Sequence, residues 1–126
     1  MAISQFRSRL KKSGGRYKSR TKKTKNKGRE PLLVTMSALR RKRERTRSGK
    51  IKYKLLSTNT VQVYDPKEKK YYKATIESVI ESPSNPNYIR RNIMTKGSLI
   101  KTDKGIARIT SRPGQEGTLH ALLLKK

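Results

Sequence analysis

Apolar and polar residues alternate along much of the second half of the chain, in short stretches separated by turns. In YYKATIESVIE the even positions Tyr72, Ala74, Ile76 and Ile80 are mostly apolar, and the odd positions between them are mostly polar. A period of two residues is typical of a strand with one face towards a core. The pattern therefore predicts a strand whose inner face includes both isoleucines.

Further apolar stretches of strand length follow, and residues that favour turns separate them. TVQVYD repeats the alternation with Val61 and Val63, and IARIT and LHALLL add two more apolar stretches. The dipeptide DP after TVQVY begins a polar turn. Gly114, which follows a proline, favours a type II turn because that turn needs a positive dihedral angle.

The segment NPNYIRRNIMTKG predicts a short helix near 85–95 within this β pattern. Asn85 would cap the helix, with the following proline at its first position. Ile89 and Ile93 would share the inner face one turn apart, and Gly97 would end the helix.

Together these elements predict a mainly β protein. We expect a small closed antiparallel β-barrel with a short helical insertion and a long basic N-terminal extension. Closure suits a core of this size because a barrel leaves no unpaired strand edge. We expect residues 1–36 to form an extended basic arm and residues 37–126 to form the barrel domain.

The basic segment 37–55 allows two interpretations, a helix or a hairpin. SALRRKRER contains strong helix formers after a capping Ser37. RKRERTR and KIKYKLL instead predict two strands of a hairpin around Ser48-Gly49, which we favour. In the hairpin, one face of each strand would carry the residues Arg43, Arg45, Arg47, Ile51, Tyr53 and Leu55.

Charge identifies the class of partner. The 126-residue chain has 34 Lys and Arg against 8 Asp and Glu, a net charge of +26, and only 31% of its residues are apolar. Residues 1–54 carry +19 of that charge. The stretch 12–30 holds nine basic residues and one large apolar side chain, Tyr17, which is too little apolar surface to offset the entropy of folding. We therefore expect nucleic acid to bind this stretch and to order it.

Other classes of function fit the sequence less well. A membrane surface would favour an amphipathic helix with a broad apolar face, which the basic segments lack. The acids are scattered, the single histidine, His120, lies in an apolar stretch, and no phosphate-binding loop occurs. The chain also has no cysteine. We therefore expect no catalytic site, no metal, no cofactor and no small-molecule substrate.

The basic side chains of the arm and of segment 37–55 are candidate phosphate contacts. Tyr17 is a candidate for stacking on an unpaired base, because no local core surrounds it. Arg90 and Arg91, with Lys96 nearby, form a second candidate patch. The full set of candidate RNA-binding residues is Arg7, Arg9, Lys11, Lys12, Arg16, Tyr17, Lys18, Arg20, Lys22, Lys23, Lys25, Lys27, Arg29, Arg40, Arg41, Arg43, Arg45, Arg47, Lys50, Arg90, Arg91, Lys96 and Arg112.

A set of motifs in a fixed order carries a family resemblance. MAISQ with KSGGR is followed by VYDPKEKKYYKA, NPNYIRRNIMTKG and TSRPGQEGTLHALLLK. In this combination the whole chain resembles the S-eight-e family of small-subunit ribosomal proteins, and its compact length resembles the archaeal members. It departs from the family pattern at Phe6 and at Ser48-Gly49, where members often have Gly-Gly.

The resemblance implies a β-barrel anchored on small-subunit rRNA, with the N-terminal extension buried in that RNA. It marks Lys12 and Arg16 in KSGGR, and Arg90 and Arg91 in YIRRN, as rRNA contacts. The implied role is a structural constituent of the small ribosomal subunit in the cytoplasm, with neighbouring ribosomal proteins as further partners. An architectural DNA-binding protein is the alternative, because it would have the same composition.

Overall fold

The computed structural model describes residues 3–4, 10–18, 27–28 and 30–124. The chain divides into two compact units, residues 1–31 and residues 32–126. The described elements, in chain order, are β1 (Ile3–Ser4), β2 (Lys27–Gly28), β3 (Val34–Thr35), β4 (Arg40–Arg45), β5 (Ile51–Ser57), β6 (Thr60–Asp65), β7 (Lys70–Glu81), α1 (Asn87–Arg90), β8 (Ile93–Met94), β9 (Leu99–Thr102), β10 (Gly105–Ile109) and β11 (His120–Leu123).

In the first unit, two backbone pairings bring the chain back on itself. β1 pairs antiparallel with β2, with Ile3 opposite Gly28. Leu10 and Arg16 form an isolated antiparallel bridge on either side of KSGG. The short-range bridge is thus nested inside the longer-range pairing, and KSGG lies at a tight turn.

The second unit contains a closed barrel of five strands in the order β10-β11-β6-β7-β9. The pairs β6–β7, β7–β9, β9–β10 and β10–β11 are antiparallel, whereas β11 pairs with β6 in parallel. The prediction of a mainly β fold with a closed barrel is confirmed, but the barrel is not antiparallel throughout. Five strands that alternate in direction must meet one parallel neighbour when the sheet closes.

The strand registers define a row of side chains around the outside of the barrel. Starting at Tyr71 of β7 and moving to the paired residue on each next strand, one passes through β6, β11, β10 and β9. The last pairing leads back to β7 at Glu81, ten residues beyond Tyr71. This stagger requires strands that tilt strongly against the barrel axis. We call this set the outer row; it consists of Tyr71, Tyr64, Leu122, Arg108, Leu99 and Glu81.

The residues that alternate with the outer row fill the barrel. Val61 and Val63 of β6 are buried, as the sequence predicts, and small alanines from β7, β10 and β11 complete the interior. Bulky branched and small side chains together fill the interior of a narrow barrel. The buried cluster comprises Val34, Leu55, Val61, Val63, Ala74, Ile76, Val79, Met94, Ile100, Ala107, Ile109, Leu119 and Ala121.

The long strand β7 departs from its predicted pattern near its end. The alternation predicts Ile80 on the inner face, but Ile80 is 42% exposed and Val79 is 4% exposed. The pairing of β7 with β9 shifts register between Ile76 and Ser78. This irregularity reverses the inward and outward positions as far as Val79, because side chains alternate with a period of two. A second shift, between Val79 and Glu81, leaves Glu81 on the outside.

A second sheet, in the order β4-β5-β3-β8, extends the same core. Residues 40–57 therefore form a hairpin, the alternative that the sequence favours over a helix. β3 pairs in parallel with β5 and antiparallel with β8. Val34, Leu55 and Met94 from these strands are buried in one cluster with the barrel residues.

The helical insertion is shorter than predicted. α1 covers Asn87–Arg90, and Pro86 rather than Asn85 occupies its N-cap position. The side-chain oxygen of Asn85 accepts a hydrogen bond from the backbone N–H of Asn87 (3.0 Å). Ile93, predicted on the helix, lies in β8, and Gly97 belongs to the turn before β9. Because the helix has only four residues, one face cannot hold two isoleucines a turn apart.

The turn after β10 differs from the predicted type. The backbone N–H groups of Gln115 and Glu116 both donate to the carbonyl oxygen of Arg112, each at 2.9 Å, so a turn is present. Gly114, however, does not have a positive φ, which excludes the type II turn at this glycine.

Candidate nucleic-acid interface

The KSGGR motif forms a tight turn with a defined hydrogen-bond pattern. The backbone N–H of Lys11 donates to the carbonyl oxygen of Gly15 (2.7 Å), and that of Gly14 donates to the carbonyl oxygen of Lys11 (3.1 Å). Gly14 has a φ of 81°, which a glycine adopts without steric cost. A three-residue loop with glycine in this conformation places Lys12 and Ser13 at the exposed tip.

The cations beside this turn are exposed, as the sequence predicts for phosphate contacts. Lys11, Lys12, Arg16 and Lys18 all face solvent. The ammonium nitrogen of Lys11 lies 5.7 Å from the centre of the Tyr17 ring, within range of a cation–π interaction. Tyr17 itself is 37% exposed, so part of its ring remains accessible.

The same turn recurs at the tip of the β4–β5 hairpin. The backbone N–H of Thr46 donates to the carbonyl oxygen of Lys50 (2.8 Å), and that of Gly49 donates to the carbonyl oxygen of Thr46 (3.1 Å). Gly49 also has a φ of 81°. The hydroxyl of Thr46 adds a hydrogen bond to the carbonyl oxygen of Lys50 (2.9 Å). The order of a basic residue, serine and glycine is common to both turns, and this repeat is a signal that the sequence analysis missed.

The β4–β5 hairpin has one face that is rich in arginine. In the pairing, Arg41 lies opposite Leu55, Arg43 opposite Tyr53, and Arg45 opposite Ile51. We call these six side chains the arginine face of the hairpin. None of these six side chains of the described strands β4 and β5 is acidic. Two of its apolar members are exposed, Tyr53 at 52% and Ile51 at 46%.

Arg47 is the one member of the predicted set that lies elsewhere. The sequence predicts Arg47 on the first strand of the hairpin, with Arg43 and Arg45. In the structure β4 ends at Arg45, and Arg47 lies in the turn. Arg41 takes its place on the arginine face, because side chains at alternate positions share one side of a strand.

The opposite face of the hairpin carries charges with partners. Lys54 forms a salt bridge with Glu44 across the two strands. The ammonium nitrogen of Lys52 donates a hydrogen bond to the side-chain oxygen of Gln115 (2.5 Å), in the loop before β11. Both lysines are half-buried, whereas the three arginines of the arginine face are exposed. The two faces therefore differ in how much of their positive charge is available to a ligand.

The remaining predicted positions in the second unit are also exposed. Arg90 ends α1 and Arg91 follows it as the C-cap. The side-chain oxygen of the next residue, Asn92, accepts a hydrogen bond from the backbone N–H of Val79 (3.2 Å), which ties this segment to β7. The other exposed positions are Arg40, Lys50, Lys96 and Arg112.

Several predicted contacts lie outside the described residues. These are Arg7, Arg9, Arg20, Lys22, Lys23, Lys25 and Arg29, together with the side chain of Lys27.

The acids of the barrel have structural roles. A carboxylate oxygen of Glu77 forms a salt bridge with Lys101 (2.8 Å), and this hydrogen bond raises the pKa of Lys101. Glu68 accepts a hydrogen bond from the hydroxyl of Tyr72, which raises the pKa of Tyr72. Asp103 accepts a hydrogen bond from the backbone N–H of Thr75 (3.3 Å). These carboxylates hold strands and turns in place.

The described residues also show no arrangement for a metal ion. Within ranges 10–18 and 30–124, no three His, Cys, Asp or Glu side chains come together in a group that would hold one. The ring nitrogen of His120 forms a hydrogen bond with the hydroxyl of Thr118 (2.9 Å). Among the described helices, none has the length and apolar content to cross a bilayer.

Comparison with known proteins gives a match over nearly the whole chain. The family model described as ribosomal protein S8e matches residues 4–124. Proteins named small ribosomal subunit protein eS8 are similar at full length. The protein from Methanobrevibacter smithii is 42% identical over 98% of this chain and 100% of its own length. That from Methanococcoides burtonii is 43% identical over 96% and 98%. That from Halobacterium salinarum is 46% identical over 93% and 94%.

Proposed function

Because this chain belongs to the ribosomal protein S8e family, we propose that it is a structural constituent of the small ribosomal subunit. In this role it binds folded small-subunit rRNA and stabilises it by neutralising closely spaced phosphates. The resemblance that the sequence motifs carry is confirmed by the family match. Membership of a ribosomal-protein family, rather than any feature missing from the structure, also confirms the prediction that the chain is not an enzyme.

The observation that carries this proposal is the difference between the two faces of the β4–β5 hairpin. On the arginine face, Arg41, Arg43 and Arg45 project to one side at intervals of about 7 Å, twice the rise per residue of a strand. Arginine offers a planar fork of donors that suits phosphate oxygens. On the other face, Glu44 and Gln115 already engage Lys54 and Lys52. The arginine face is therefore the side that gains most from phosphates.

The two matching turns support the same role. Each presents a basic residue at its tip, Lys12 in one and Arg47 in the other. The glycine at the end of each turn has no side chain of its own, so a phosphate can approach the backbone. A Cβ at Gly14 would meet nothing within 4 Å, and a Cβ at Gly49 would lie 3.9 Å from the guanidinium of Arg45. We propose that both tips contact rRNA phosphates, in addition to the arginine face.

The N-terminal arm carries a large share of the positive charge of the chain. Residues 12–30 contain nine basic residues, and their mutual repulsion falls when a polyanion surrounds them. We propose that residues 1–36 form an arm that rRNA orders up to β3, whose Val34 is buried in the core, and that residues 37–126 anchor it as the barrel domain. The ribosome of the cytoplasm, with neighbouring ribosomal proteins, is the proposed location.

A salt series tests this proposal in vitro. The purified chain is titrated with small-subunit rRNA and, separately, with double-stranded DNA of similar length at several salt concentrations. If about ten cations meet phosphates, log affinity falls against log salt with a slope of about −9 on a duplex. We expect rRNA to bind at least about tenfold more tightly than DNA at each salt concentration, because folded RNA surrounds the arm. Equal affinity for both would favour an architectural DNA-binding protein.

A further inference from the structure

Tyr71 stands out on the barrel as a large aromatic side chain without a core role. It is 69% exposed, more than any other large hydrophobic side chain in the part of the chain that the structure describes. It lies on β7 in the outer row, directly opposite Tyr64 of β6. A ring this exposed buries little surface, so packing alone does not explain a tyrosine at this position.

The neighbouring tyrosine holds the Tyr71 ring in position. The two ring centres lie 4.9 Å apart and the ring planes are inclined by 44°. Tyr64 is itself half-buried, and Leu122 of β11 lies next to it in the outer row. Aromatic pairs at this separation attract each other, so the exposed ring rests on a fixed support.

Four lysines lie close to this tyrosine pair in the sequence. Three of them, Lys67, Lys69 and Lys70, lie in or beside the turn that joins β6 to β7. Lys73 occupies the next outward position of β7 and is exposed. These four side chains place positive charge on the sequence segments that flank the exposed ring.

The acids of the same turn are engaged in the turn itself. A carboxylate oxygen of Asp65 accepts a hydrogen bond from the backbone N–H of Lys67 (2.8 Å). Glu68 accepts a hydrogen bond from the hydroxyl of Tyr72, whose ring faces the other side of the strand from Tyr71. The lysines therefore have fewer competing partners than the composition of the turn suggests.

Lys69, one of these four lysines, also has an unusual backbone conformation. Its φ is 54°, in the left-handed region that lysine rarely adopts and that glycine enters freely. A lysine at this position strains the backbone of the turn, whereas a glycine would not. A glycine, however, would not provide the positive charge. The turn thus combines a strained backbone with an exposed cation beside an aromatic pair.

We propose that Tyr71 and Tyr64 form a stacking platform for an unpaired RNA base. The lysines at 67, 69, 70 and 73 would contact the phosphates of the same nucleotide and its neighbours. A phosphate alone gives no reason for an exposed ring, and an apolar peptide gives no reason for four lysines. A nucleotide that is not base-paired needs both features. This inference rests on the proposed rRNA-binding function and adds a site that the phosphate contacts do not include.

The test compares two RNA probes on the full chain. One is a single-stranded oligouridine of about ten nucleotides, and the other is an RNA duplex of similar length, whose bases are stacked and paired. Tyr71→Ala is expected to lower affinity for oligouridine by about 5- to 150-fold, the range for loss of one stacked base. Its affinity for the duplex should stay unchanged. Tyr71→Phe, which keeps the ring, should bind both probes as the natural chain does.

Two further variants sharpen this comparison. Ile80→Ala is the matched control, because Ile80 lies on the same strand and is 42% exposed but has no aromatic partner; it should affect neither probe. Lys69→Gly removes one cation and relieves the left-handed backbone. We expect weaker binding of oligouridine without loss of thermal stability. A loss of thermal stability in Lys69→Gly would overturn the role assigned to this lysine.

Photocrosslinking gives a direct readout of the contact. Oligouridine that carries 5-iodouridine should crosslink to Tyr71, and Tyr71→Leu should abolish that crosslink. Equal losses on both probes in Tyr71→Ala, no loss on either, or crosslinks only elsewhere would overturn the inference. If Tyr71→Ala lowers affinity for neither probe, the exposed ring would instead belong to a surface that contacts a protein. If the natural chain binds neither RNA, the proposed function fails as a whole.

Discussion

At the scale of single residues, two glycines in the loop before β11 face different constraints. A Cβ at Gly117 would lie 2.9 Å from the Cβ of Tyr53, an atom fixed to the backbone of β5. A Cβ at Gly114 would lie 3.5 Å from the Cβ of Leu32, an ordinary contact. The loop thus packs tightly against the hairpin at Gly117, on the arginine face.

We predict that Gly117→Ala lowers the free energy of unfolding by about 1–3 kcal/mol, the usual cost of overpacking a well-packed contact. Gly114→Ala is the matched control from the same loop and should change stability by less than about 0.5 kcal/mol. Denaturant unfolding of both variants measures the difference. Equal stability of the two variants would show that the loop does not press on the hairpin.

The sequence predicts single residues well where the cause is local. The turn at Ser48-Gly49 follows from the residue types, because glycine enters the left-handed region freely. The constraint at Gly117 comes from Tyr53, which is far away in the sequence, so no local pattern reveals it. The type II turn predicted at Gly114 is wrong even though the residues of the turn are local, because two backbone N–H groups both donate to the carbonyl oxygen of Arg112 and set a different turn.

At the scale of elements, β7 shows how a partner strand changes a pattern. Its alternation predicts the inner face up to Ile76 and fails at Ile80. The shift arises from the pairing with β9, which the sequence of β7 does not contain. The two-residue strands β3 and β8 were missed because two residues are too few to show a period.

The irregularity in β7 leads to a prediction about neighbouring residues. Val79→Ala should lower the free energy of unfolding by about 2 kcal/mol, because it removes buried methyl groups and leaves a cavity. Ile80→Ala should cost less than about 1 kcal/mol, although it removes more atoms, because Ile80 is 42% exposed. Thermal or urea unfolding gives both values, and the reverse order would place Ile80 in the core.

The two faces of the β4–β5 hairpin give a prediction about binding. Arg43→Gln with Arg45→Gln should weaken rRNA binding and reduce the slope of log affinity against log salt by about 2, one unit for each lost phosphate contact. Lys52→Gln with Lys54→Gln removes the same charge from the opposite face, where Gln115 and Glu44 already engage these lysines, and should change the slope less. Titrations at several salt concentrations measure both slopes. Equal changes would mean that total charge, and not the arginine face, determines binding.

At the scale of the whole molecule, the charge of the chain lowers the stability of the folded state and the buried core raises it. A net charge of +26 on 126 residues repels itself, while the closed barrel supplies the core that resists this repulsion. The sequence predicts the closed barrel and the polyanionic partner because both depend on average properties. It does not predict the parallel closure of β11 on β6, which depends on the number of strands.

This balance predicts opposite effects of salt on the chain and on its complex. Salt screens repulsion between exposed charges, so raising it moderately should increase the melting temperature of the purified chain. The same change should weaken the complex with rRNA, because each counterion released on binding gains less entropy when the bulk salt concentration is higher. Thermal melts with and without rRNA measure both effects. A purified chain that loses stability with moderate salt would contradict the role given to self-repulsion.

The central claim is that the chain is a structural part of the small ribosomal subunit, held there by phosphate contacts. The most direct test is to recover the tagged chain from cells on a density gradient and to sequence the nucleic acid that accompanies it. We predict that the chain sediments with the small subunit, with one copy of small-subunit rRNA for each chain. Recovery with chromosomal DNA, outside the subunit fractions, would contradict the claim.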